Sequence, residues 1–102
     1  MSIRTEDIND KETTIILDRQ FDFNCVEDFR RAYDNPEKVV GKKSYIVDFK
    51  HTQYIDSSAL GMLINMQKKV SEKGGVVKLI NPNDQVKKLF VISHFDKKFE
   101  IQ

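Results

Sequence analysis

The chain has 102 residues, the length of one domain with room for a substantial core. Seventeen basic residues stand against sixteen acidic ones, a formal net charge of +1, and that balance excludes a strong general attraction to nucleic acid or to an anionic membrane. The single cysteine, Cys25, can close no disulfide within the chain and cannot build a thiolate metal cage.

The first residues, Met1 to Asp7, lack the apolar stretch of a signal peptide. No apolar run approaches the roughly 20 residues that cross a bilayer, so a cytoplasmic protein is expected. Ile3 to Ile8 reads as the first arm of a hairpin. Its second arm is Thr13 to Leu17, a β-branched apolar stretch behind the turn at Asp10-Lys11-Glu12. From Asn24 the period changes: Cys25 or Val26, Phe29 and Tyr33 recur at helical spacing, with Asn24 as N-cap and Asn35-Pro36 as the stop. Val39 to Lys43 reads as a loop or a short helical extension. Tyr45 to Phe49 is the clearest strand of the sequence.

A polar connection then leads to a long helix from Ser58 to Lys73, ended by Gly74-Gly75. At about 100° per residue, Ala59, Met62, Leu63, Met66 and Val70 form one stripe that faces the core. Leu60 and Ile64 lie beside it, either against a neighbouring helix or open to a partner. Val76 to Ile80 is another strand. Asn81-Pro82-Asn83-Asp84 opens a helix carrying Val86, Leu89, Phe90 and Ser93, and Lys97 to Gln102 alternates like an edge strand. The order β-β-α-β-α-β-α with a last strand predicts a single α/β domain over 1-102. Its sheet is mixed but mostly parallel, with four to five strands covered by helices.

Chemistry concentrates in Tyr54-Ile55-Asp56-Ser57-Ser58-Ala59-Leu60-Gly61, where a strand gives way to a helix. First-turn N–H groups there favour negative charge. Residue chemistry alone leaves two readings open: Asp or Ser capping the helix, or a functional group of hydroxyls beside a carboxylate. The segment Asp56-Ser57-Ser58-Ala59-Leu60-Gly61 resembles the Asp-Ser-Ser/Thr-Gly/Ala-Leu-Gly signature of the STAS family, typified by bacterial anti-sigma factor antagonists. Asp22 near the first helix, the Gly74-Gly75 break and the Asn81-Pro82 helix start also fall where that family has them.

The resemblance implies a STAS fold and a phosphorylation-switched antagonist. Its phosphoacceptor would be Ser57, with Ser58 the second choice and mainly a cap. The unphosphorylated form would bind an anti-sigma factor that is also a serine kinase, through Phe21, Asp22, Asp56, Ser57, Ser58, Leu60, Gly61 and Ile64. A PP2C-type phosphatase would reverse the modification. The chain departs from the pattern at Ala59, where Gly is commoner, and at Arg19-Gln20, where Gly-Glu is usual. The second departure falls on the expected partner loop.

Such a protein is not an enzyme and needs no cofactor, nucleic acid or membrane. His51 and His94 have no carboxylate or cysteine at metal-ligand spacing, so no metal site is expected. Another use of the same fold is an accessory subunit of a membrane transporter that binds its ATPase. Asp18 and Asp48 could be forced into a response-regulator receiver pattern, but the chain is short by a helix and a strand. Ser57 as a hydrolase nucleophile would need a His-acid pair that the sequence does not offer.

Overall fold

The computed structural model describes residues 3–34 and 44–102. The Asn35-Pro36 stop and the reading of Val39 to Lys43 lie outside the described residues. The opening hairpin joins β1 (Arg4–Asp7) to β2 (Glu12–Ile16) in antiparallel register. Asn9 makes the turn, its Oδ1 accepting from the N–H groups of Lys11 (2.8 Å) and Glu12 (3.0 Å). β2 then pairs in parallel with β4 (Ser44–Asp48), β4 with β6 (Val77–Ile80), and β6 with β7 (Glu100–Ile101). The result is a mixed five-stranded sheet in the order β1-β2-β4-β6-β7.

Side chains alternate across this sheet. Thr13, Ile15 and Leu17, Tyr45, Val47 and Phe49, and Val77 and Leu79 are buried. All of these but Thr13 belong to one hydrophobic cluster, together with the apolar faces of the helices. The opposite face carries Thr14, Ile46 and Lys78 side by side in the register. Lys78 there reaches Glu100 at 3.0 Å. The helices cover the sheet with their apolar faces, as the order of strands and helices predicts. The polar residues at alternate positions let the other face meet water.

The helices follow their apolar periods. α1 (Val26–Tyr33) buries Phe29 and Tyr33, and its N-cap is Cys25, one residue after the expected Asn24, because a 3-10 turn at Phe23–Cys25 precedes it. α2 (Ser57–Glu72) buries Ala59, Met62, Leu63, Met66 and Val70, the predicted stripe in full. It stops where Gly74 turns into the left-handed region (φ 81°), with the Gly75 N–H donating to the Val70 carbonyl at 2.9 Å. α3 (Asp84–Ile92) is capped by Asn83, whose Oδ1 accepts from the Val86 N–H at 2.8 Å, and buries Val86 and Phe90. A second 3-10 turn, Phe95–Lys97, returns the chain to the sheet edge.

A row of aromatic rings runs through this core. Phe29, Phe21, Phe49, Phe90, Phe95 and Phe99 follow one another at centroid distances of 4.9, 6.4, 5.4, 5.4 and 5.0 Å. Contacts of this kind add about 0.5–1.5 kcal/mol each beyond the area they bury. They tie α1, α3 and the C-terminal segment into one core.

Candidate functional site: two capping aspartates and an exposed serine

Two very short strands build the site. β3 (Gln20–Phe21) and β5 (Tyr54–Ile55) form a separate parallel pair, Gln20 opposite Tyr54 and Phe21 opposite Ile55. The Arg19 carbonyl anchors them, accepting from the N–H groups of Gln53 (2.8 Å) and Tyr54 (3.1 Å). The sequence predicts no strand at either place, since two-residue strands carry no periodicity. The approach to β5 is pinned as well. Thr52 is buried, its hydroxyl donating to the Asp18 carbonyl at 2.9 Å, and its own carbonyl accepts from Asn83 Nδ2 at 3.3 Å.

The paired strands deliver their next residues, Asp22 and Asp56, to the same end of the small sheet. Each is extended and caps the turn that follows. Asp22 Oδ1 accepts from the Asn24 N–H at 3.0 Å, and Asp56 Oδ1 accepts from the Ala59 N–H at 2.9 Å. Such caps are worth about 1 kcal/mol each. The capping reading of the motif is therefore correct for Asp56 and needs correcting for Ser58. Asp56 fills the cap, so Ser57 and Ser58 occupy the first and second helical positions, and both are exposed. A serine hydroxyl is left at a helix N-terminus without a capping duty.

The other predicted contact residues divide. Ser57, Leu60, Gly61 and Ile64 follow the i, i+3, i+4, i+7 spacing of one helical face. Ser57 and Gly61 are exposed along it, while Leu60 and Ile64 are half-buried and pack against the core. Asp22 is half-buried beside them. Phe21 must be withdrawn as a contact residue: it is 0% exposed, packed edge-on against Phe29 and Phe49. Phe23, two residues on, is 67% exposed. Sequence reasoning missed it, because strand alternation would put Phe21 and Phe23 on one face and only the 3-10 turn that starts at Phe23 breaks that pattern.

Cys25 is buried behind the Asp22 turn, with its Sγ 3.5 Å from the Gln20 carbonyl. Burial, and then the charges of Asp22 and Asp28, push its thiol above the ordinary value of 9.0, which keeps it protonated and unreactive. Asp48 is held inside, accepting from the Lys50 N–H (2.9 Å) and from Asn81 Nδ2 (3.1 Å). It braces the end of the sheet, a poor position for accepting a phosphoryl group. Among the described residues no group of three His, Cys, Asp or Glu side chains is placed to hold a metal ion. No helix of the described residues is long and apolar enough to cross a membrane.

Comparison with known proteins places this geometry. The family model of the STAS domain matches residues 3–102. A STAS-domain containing protein of Pseudomonas aeruginosa (strain UCBPP-PA14) is 35% identical over 91 residues, which cover 89% of this chain and 88% of that protein. The fold is shared with the Bacillus anti-sigma factor antagonist SpoIIAA. Its unphosphorylated structure gives a TM-score of 0.80 at 19% identity over 99% of this chain and 87% of the other. The phosphorylated structure gives 0.78 at 20% identity over 99% and 91%. A sulfate transporter family protein from Wolinella succinogenes is more distant, with a TM-score of 0.71 at 17% identity over 82% and 67%. The signature around Ser57, the match along the described fold and the identity to the Pseudomonas relative agree: the chain belongs to the STAS domain family.

Proposed function

We propose that this protein is an anti-sigma factor antagonist switched by phosphorylation of Ser57. The unphosphorylated form binds an anti-sigma factor that is also a serine kinase. Phosphorylation releases it, and a PP2C-type phosphatase restores binding. The protein acts in the cytoplasm as a binding module and a kinase substrate, without catalysis or cofactor of its own.

One observation carries the reading. The Ser57 hydroxyl is exposed at the first residue of α2, one position beyond a cap already filled by Asp56. A phosphate there gains from the helix N-terminus, so the fold tolerates it. At an interface its charge of about −1.5 to −2 has to be desolvated near Asp56 and Asp22. Each 1.4 kcal/mol so lost weakens binding about tenfold. The partner surface comprises Asp22, Asp56, Ser57, Ser58, Gly61 and the open edges of Leu60 and Ile64, extended by Phe23. Support comes from SpoIIAA, an antagonist by name, whose structure exists in both phosphorylation states on this fold.

Titration calorimetry with the cognate kinase, recovered by pull-down on the Ser57→Ala protein, tests the switch. Ser57→Ala should bind like the unmodified protein, and Ser57→Asp at least about tenfold more weakly. Both should melt near wild type. Phosphate mapped to Ser58 alone, or equal affinity of the two variants, would sink the proposal. Recovery of a transport ATPase in place of a kinase would favour the transporter-subunit reading.

A further inference from the structure

We propose that the groove beside Tyr54, between β5 and α3, is a second contact point for the protein partner and receives an apolar side chain flanked by carboxylates. This rests on the reading of the Ser57 end of α2 as a partner surface. Tyr54 stands only two residues before Asp56. It is 54% exposed although its strand neighbour Ile55 is buried. On one side of it a groove of about 270 Å³ runs between β5 and α3, walled by Ile55, Val86, Leu89 and Lys88. On the other side a depression of about 370 Å³ reaches Arg19 and Gln20. Tyr54 and Gln53 border both, so the ring is a ridge between two hollows.

The apolar character of this surface continues along α3. Leu89 is 36% and Ile92 73% exposed, and their i, i+3 spacing sets them on one side of the helix. Tyrosine and arginine are among the residue types that dominate the energy of interfaces, and both border this surface.

Charge selects the occupant. Lys88 walls the groove, and Arg19 stands across Tyr54, its guanidinium donating to Gln53 Oε1 at 3.3 Å. Asp18, the carboxylate in that second hollow, accepts from the Arg19 N–H at 2.8 Å. The surface is thus divided: carboxylates at Asp22 and Asp56 mark the serine half, whereas the groove half has Lys88 as its charged wall, with Arg19 beyond Tyr54 next to Asp18. A partner segment with a leucine or aromatic residue between Asp or Glu side chains fits the second half, and a basic segment is rejected there.

The test uses the full chain, labelled with nitrogen-15, and three synthetic peptides of equal length. One carries leucine bracketed by glutamates, one leucine bracketed by lysines, and one is acidic without an apolar residue. Saturable shifts at Gln53 to Ile55 and Gln85 to Leu89 are expected with the first peptide only, and Lys88→Glu should weaken them about tenfold. Equal response to the lysine peptide, or shifts confined to other residues, would overturn the proposal. The peptides do not involve Ser57 chemistry, so this arm stands apart from the phosphorylation reading. With the purified kinase, Lys88→Glu and Tyr54→Ser should each lower kcat/KM for Ser57 phosphorylation about tenfold at unchanged melting temperature. Wild-type rates for both variants would remove the groove from the footprint and leave Ser57 in place.

Discussion

Gly61 lies one helical turn beyond Ser57, on the same exposed face, and the fold itself does not require it. A methyl group there would meet nothing within 4 Å, and glycine inside a helix costs about 0.5–1 kcal/mol relative to alanine. Gly61→Ala should therefore raise the melting temperature by a few degrees and weaken partner binding in calorimetry, because the methyl stands in the path of a closely approaching backbone. A variant that is stabilised yet binds as wild type would take Gly61 off the interface. The neighbouring phenylalanines show what sequence could and could not give at this scale. The Asp56-Ser57 motif was legible because its residue types state their chemistry. Phe21 and Phe23 flank Asp22 with equal hydrophobicity, and only the pairing with β5 decides that Phe21 goes inside. That pairing joins residues more than thirty positions apart, beyond the reach of any local pattern.

Element by element, legibility tracked length. α2 repeats its apolar spacing over four turns, so its buried stripe could be read in full. β4 lies one residue before its expected bounds at both ends, and β6 starts one residue late and ends where expected. β3 and β5, at two residues each, offered no repeat at all. The α2 assignment has a direct test. Met66 is completely enclosed at the centre of the stripe, and Met66→Asp would place an unpaired charge there. That costs several kcal/mol, a large part of the roughly 5–15 kcal/mol that holds a domain together. Circular dichroism should show an unfolded chain or a collapsed melting temperature. An unchanged melt would mean that the helix packs by another face.

For the whole molecule, one ion pair ties the end of α1 to the last turn of α2: Lys69 Nζ donates to Asp34 Oδ2 at 2.8 Å. The hydrogen bond from Lys69 holds the Asp34 carboxyl below its ordinary 3.8, and the same bond raises Lys69 above 10.5. A depressed carboxyl contributes stability that is in place above its unfolded value and lost as pH falls through the folded one. A raised lysine contributes below its unfolded value and loses that contribution as pH climbs through the folded one. The bridge therefore acts across the neutral range. Solvent reaches both groups, so its effect is small and salt-sensitive. Asp34→Asn should melt slightly below wild type at neutral pH in low salt, and the difference should close as the pH falls from 3.8 through the lowered folded-state value of Asp34. A gap that persists in acid would assign the effect to packing. The independence of the α2 cap from the serines has a consequence for the cell. Since the Asp56 side chain closes the helix end, a phosphate on Ser57 would remove no bond from the fold and would gain slightly from the helix N-terminus, so the modified chain would resist proteases at least as well as the unmodified one. Release from the partner would then not expose the modified chain to faster turnover, and pulse proteolysis should give it an unfolded fraction no higher than that of the unmodified chain at every urea concentration.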